Sequence, residues 1–135
     1  MSENTIEKAV KRYSLDACQE NYAKVIHEIF WGIVNGNKIY YIVDKDHAGE
    51  HVPTIVRDAE GKLYSAIFSH RSTILETQSG DIIEENFETF ARHILLKFDI
   101  MGLLLDMDIG GGVVVMTDYL VTILGAVQDY RNSIK

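Results

Sequence analysis

The amino-acid sequence predicts an α+β domain, with a single mixed or mostly antiparallel sheet of about five or six strands flanked by helices and a helical pair at the N-terminus. Three observations predict it. Apolar residues recur at three- and four-residue spacing between Leu15 and Val34. The pattern turns β-rich at Ile39, and beyond Ser69 short helical and strand-like segments alternate. No Pro/Ser-rich linker or internal repeat interrupts the 135 residues, so one domain is expected over 1–135, helical over 1–36 and built of sheet and helices over 38–130. A chain of this length buries roughly two-thirds of its unfolded surface, which suffices for a core without disulfide or metal.

Asn4 with Glu7 has the spacing of a capping box and opens a short polar helix running to about Tyr13. Leu15, Cys18, Tyr22, Val25, Ile26, Ile29, Phe30, Ile33 and Val34 form the stripe of a long amphipathic helix. It starts near Ser14 or Asp16 and stops before Gly36, a natural left-handed C-terminal residue. Ile39 to Val43 reads as a strand buried on both faces. Thr54 to Arg57 and Lys62 to Ile67 flank Asp58-Ala59-Glu60-Gly61, whose Asp and Gly supply turn geometry, so a β-hairpin is expected. Ser69, or Thr73 with Glu76, caps a short helix to about Thr77, ended by Gln78-Ser79-Gly80. A short strand at Ile82-Ile83 leads into a helix capped by Asn86, with Phe87, Phe90, Ala91, Ile94 and Leu95 inward. Gly102 to Leu105 and Gly112 to Val115 are strands joined by an acidic, Gly-rich turn. Thr117 or Asp118 then caps a last helix that buries Leu120, Ile123, Leu124 and Val127.

Charge narrows the function classes. Thirteen basic against 20 acidic side chains give a formal net charge of −7, and no Lys or Arg occurs between Arg71 and Arg92 or between Lys97 and Arg131. Binding to nucleic acid or anionic lipid rests on Lys and Arg contacts, so neither is an expected partner. Such acidity serves solubility, or it offers a docking face to a basic partner. Cys18 is the only cysteine, which excludes an internal disulfide and fits a reducing compartment. The polar start Met1-Ser2-Glu3-Asn4-Thr5 does not have the pattern of a signal peptide, and Asp106, Asp108 and Asp118 interrupt the apolar stretch from Ile100 to Val127. A cytoplasmic protein is expected.

Four groups of residues invite chemistry. His47-Ala48-Gly49-Glu50-His51 spells H-x-x-E-H, which on a helix aims two imidazoles at a zinc ion with the Glu activating water. Gly49, and Pro53 two residues beyond His51, oppose a helix between two expected strands, so a solvated loop or a weak metal site is the reading. Asp106 and Asp108 share a face if their strand continues, and paired carboxylates hold Mg²⁺ or exchange protons. Gly110-Gly111-Gly112 follows, and two acids before such a turn also simply stay in water. Ser69 and His70 are adjacent, an arrangement that does not bring both groups to one reacting atom. Cys18, on the apolar stripe, is expected to be a buried and inert thiol. Phe30 and Trp31 are consecutive on the long helix and therefore point about 100° apart, which calls for a wide core face or for a contact surface.

The succession of segments from Lys38 to Val127 resembles the N-terminal domain of the SseB family, named after an enhanced-serine-sensitivity protein. The resemblance is carried by the polar hairpin at Asp58-Ala59-Glu60-Gly61, by Tyr64-Ser65-Ala66-Ile67-Phe68-Ser69, by Gly102-Leu103-Leu104-Leu105, and by Thr117-Asp118-Tyr119-Leu120 entering the closing helix. Asp106-Met107-Asp108 stands where the family usually has Asn-Pro-Gly, and Ala66 where a Pro is frequent. The resemblance implies a small cytoplasmic bacterial α+β domain, accessory to larger systems, with no catalytic residues to carry over. With no convincing catalytic group, two strongly acidic stretches and adjacent large aromatics on the long helix, the expectation is a non-enzymatic interaction domain without cofactor that uses an acidic or aromatic surface to bind a protein partner or a second copy of itself, with Phe30 and Trp31 as candidate interface residues. A metal-dependent hydrolase using His47, Glu50 and His51, with Asp106 and Asp108 as further ligands, is the alternative from another class. An acidic immunity-type protein neutralising a basic toxin is the third.

Overall fold

A computed structural model describes residues 5–43, 54–70, 81–97 and 99–134. Helices α1 (Thr5–Leu15) and α2 (Gln19–Val34) precede strands β1 (Lys38–Val43), β2 (Ile55–Arg57), β3 (Leu63–Ile67) and β4 (Asp81–Asn86). Helix α3 (Phe87–Lys97), strands β5 (Gly102–Leu105) and β6 (Val113–Met116) and helix α4 (Thr117–Ser133) complete an α+β fold. The H-x-x-E-H segment, and the short helix expected to run to about Thr77, lie mostly or wholly outside the described residues.

Where one sheet was expected, the described residues form two. Four strands in the order β2-β3-β5-β6 form one sheet, and β1 pairs antiparallel with β4 in the other. Tyr40 and Phe68 bridge the two sheets with backbone hydrogen bonds of 2.9 and 2.8 Å, and the Thr54 N–H beside β2 donates to the Ile42 carbonyl of β1 at 3.1 Å. The pairing is of mixed direction, because β3 and β5 run parallel while β2–β3 and β5–β6 are antiparallel. Parallel neighbours need a crossover, and β4 with α3 supplies it.

The alternate residues Ile67, Leu103, Leu105, Val113 and Val115 share one core with the inward faces of the four described helices. The helices meet on this side, α2 lying against α1, α3 and α4, and α3 against α4. Gly102 holds β5 close to β6, since a Cβ there would fall 2.9 Å from Met116 Cα and against the Val115 carbonyl oxygen.

Local signals account for most boundaries. In the hairpin turn, Asp58 Oδ1 accepts from the backbone N–H groups of Glu60 and Lys62 at 2.9 Å each, and Gly61 adopts φ +84°. Those hydrogen bonds, the Lys62 one foremost, hold the Asp58 carboxyl below its ordinary range against the opposing effect of desolvation. Asn86 caps α3, its Oδ1 accepting from Thr89 N–H at 3.1 Å. Elsewhere the chain departs from expectation. The first helix runs on to Leu15, which is 89% exposed, and α2 begins only at Gln19. Cys18 takes extended backbone at the α2 N-cap, half-buried rather than in the core, because the chain must turn between two packed helices there. Met116 rather than Thr117 or Asp118 occupies the N-cap of α4, with no side-chain cap.

Candidate functional site

An open apolar groove lies between α3 and α4. Arg92, Leu95 and Leu96 from α3 and Val121, Leu124, Gly125 and Gln128 from α4 line a concavity of about 430 Å³. Helical rotation explains its composition. Phe87, Phe90, Ala91 and Ile94 take the inner face of α3, so Leu95 falls at its edge and Leu96, a further 100° round, stands 86% exposed. On α4 the buried stripe is Leu120, Ile123, Leu124 and Val127, which leaves Val121 57% exposed at the opposite lip. Gly125 contributes no side chain, and a Cβ built there would meet nothing within 4 Å.

Arg92 is the charged residue of this lining. Glu88, near the start of α3, accepts from Arg92 Nη2 at 3.1 Å and from Arg131 Nη1 at 2.9 Å, so two guanidinium groups share one carboxylate. Partial burial pushes the Glu88 carboxyl up, but the hydrogen bonds and charges of Arg131 and Arg92 together outweigh it and hold the group below its ordinary range.

Phe30 and Trp31 lie on another flank of α4, where Tyr130 completes a triad. Ring centroids are 5.0 Å apart for Phe30–Trp31, 5.2 Å for Trp31–Tyr130 and 6.0 Å for Phe30–Tyr130, all edge-on. The two consecutive aromatics are both half-buried because α4 supplies a third ring against which each can pack. They help seat α2 on α4 while keeping part of their surface outward. A second string, Tyr13–Tyr22–Tyr119, links α1, α2 and α4 at 5.7 and 5.8 Å. Tyr22 donates its hydroxyl proton to the Val114 carbonyl at 2.7 Å, and burial is the main reason its pKa is pushed up to about 12.

The residues singled out for metal chemistry are not drawn together. His47, Glu50 and His51 lie outside the described residues, and among the described residues no cluster of three or more His, Cys, Asp or Glu side chains is placed to hold a metal ion. Strand β5 ends at Leu105, so the alternation that would align Asp106 with Asp108 stops before reaching them. Asp106 instead adopts φ 53°, a left-handed conformation that Asp tolerates better than most residues. Fully buried, it receives the Ser69 backbone N–H on Oδ1 at 2.7 Å and the Ser69 hydroxyl on Oδ2 at 2.6 Å. Ser69 is therefore a clasp holding the ends of two parallel strands together, while the helix it was expected to cap lies outside the described residues.

Sequence reasoning missed the groove, the Glu88–Arg131 pair and the Ser69–Asp106 clasp. The apolar Leu96 beside an already complete inner face was the one available sign of the groove. The other two contacts join residues 43 and 37 positions apart, with no local signature. Comparison with protein-family models, curated proteins and solved structures finds no match to the chain.

Proposed function

We propose that the chain is a non-enzymatic interaction domain that holds the apolar face of an amphipathic helix from a protein partner in the α3–α4 groove. One observation carries this reading: Leu96 and Val121 stand exposed on opposite lips of a concavity whose floor is open at Gly125. Fully burying a side chain of that kind contributes about 2 kcal/mol, and grooves of this form receive helices through apolar anchors a turn apart. Arg92 in the groove lining favours a partner helix that carries a carboxylate beside it.

The SseB resemblance supports an accessory role in the bacterial cytoplasm, and no helix among the described residues is long and apolar enough to cross a membrane. A hydrolase reading finds less support, since the Asp106 carboxylate is committed to Ser69.

The test compares Leu96→Glu with Leu15→Glu, the same change at an exposed leucine on α1. The wild type and Leu15→Glu are expected to retain one stoichiometric partner from native extracts, and Leu96→Glu to lose it. Self-association abolished by Leu96→Glu alone would make the occupant a second copy. A monomeric chain that retains no partner, or a partner retained equally by all three proteins, refutes the groove.

A further inference from the structure

The groove between α1 and α2 has the opposite character to the one just described. Thr5, Lys8, Ala9 and Arg12 of α1 and Lys24 and Glu28 of α2 line a concavity of about 200 Å³. Three of the chain's 13 cationic residues thus face one small space with a single carboxylate among them, on a protein of net charge −7. The fold enforces this arrangement. Burial of Ile6, Ala9 and Val10 against the core turns Lys8 and Arg12 toward the outer edge of the α1–α2 seam, and burial of Val25 and Ile29 does the same for Lys24.

Nearby carboxylates offset the group only in part, at Lys24. Glu7 pairs with Lys11 at 3.2 Å, and Glu20 approaches Lys24 only to 3.9 Å, with its side chain 80% exposed. Among the described residues no carboxylate lies within ion-pair distance of Lys8 or Arg12. Like charges one helical turn apart repel, so Lys8 and Arg12 oppose the helix that carries them unless an anion sits between.

We propose that this groove binds a compact, doubly charged oxyanion, the phosphate group of a small molecule. Arg12 offers a planar fork of donors suited to such a group, Lys8 and Lys24 add point charges from two sides, and the Thr5 hydroxyl is a further donor at the rim. The acidity of the remaining surface sets the size of the ligand. Screening confines each charge to about 8 Å at physiological ionic strength, so a small anion responds to the three local cations. An extended polyanion such as nucleic acid, or an anionic membrane, would also lie against the acidic remainder and be repelled. This site is independent of the α3–α4 groove and stands or falls separately from it.

The test titrates the full chain with inorganic phosphate and, separately, with glycerol phosphate, against chloride at equal ionic strength, following backbone amide resonances. Saturable shifts centred on Lys8, Ala9, Arg12 and Lys24 are expected with phosphate and absent with chloride. Tighter binding of the ester identifies a phosphorylated small molecule as the ligand, and equal binding identifies free phosphate; each supports the site. The exposed pair change Lys8→Gln with Arg12→Gln is expected to weaken binding at least about tenfold while leaving thermal stability in chloride equal or higher. Shifts scattered over all surface lysines, a response that never saturates, or unchanged affinity in the double variant would overturn the proposal.

Discussion

Gly125→Ala separates the openness of the α3–α4 groove from the stability of the helix that forms it. Glycine inside a helix costs about 1 kcal/mol relative to alanine, because its backbone has more freedom to lose on folding. Most such glycines are retained because a neighbour fills the space of the missing methyl. Here nothing lies within 4 Å of that position, and Gly125 has an exposed, helical setting within α4. The substitution should therefore recover most of the propensity difference, close to 1 kcal/mol, with no steric debit. For a chain of 135 residues that corresponds to a rise in Tm of roughly 3–5 °C. Urea unfolding should show a higher midpoint with an unchanged slope, since no additional surface is exposed on unfolding. Gly125→Leu extends the same experiment: the larger side chain occupies the groove and should block partner docking in a protein that remains folded. A Tm lowered by Gly125→Ala would mean that the methyl meets an obstacle, and the groove as a receptor for a helix would be refuted with it.

Two further expectations concern buried and ion-paired carboxylates. Asp106→Ala removes the carboxylate that accepts from the buried Ser69 N–H and hydroxyl and leaves an alanine at φ 53°, which together should cost about 3 kcal/mol in urea unfolding. Asp106→Asn, which tolerates that backbone, should lose less; a loss below about 1 kcal/mol in the alanine variant would show that the clasp is not structural. Glu88 has its carboxyl held low in the folded chain, so it binds a proton less readily there than in the unfolded chain. Its stabilising contribution is present above the unfolded value near 4.5 and is lost as pH falls through the lower folded one. Glu88→Gln should flatten that part of the acid-unfolding profile; an unchanged profile would show that the two arginines do not act on it.

The parts of this molecule that could be read in advance are those whose causes are local. Asn86 capping α3 depends on a side chain reaching an N–H three residues on, and the turn at Asp58 to Gly61 closes within four residues. The buried stripe of α4 follows from helical spacing, and all four of its expected residues are buried. Failures cluster where neighbours in sequence compete. Leu15 and Cys18 continue the period of the long helix, yet the chain must break between α1 and α2 so that both can cover the same core. Leu15 consequently ends in solvent and Cys18 at a cap.

Phe30 and Trp31 show the division most plainly. Their adjacency alone requires that they diverge, and no inspection of α2 reveals that Tyr130 waits a hundred residues later to receive both. The Ser69–Asp106 clasp, the shared Glu88 and the two grooves likewise arise only when separate elements are laid side by side. Periodicity, capping and turn chemistry act over a few residues and are written along the chain. Concavities and long-range charge pairs depend on how helices rotate against one another, which is settled by the packing of the whole core.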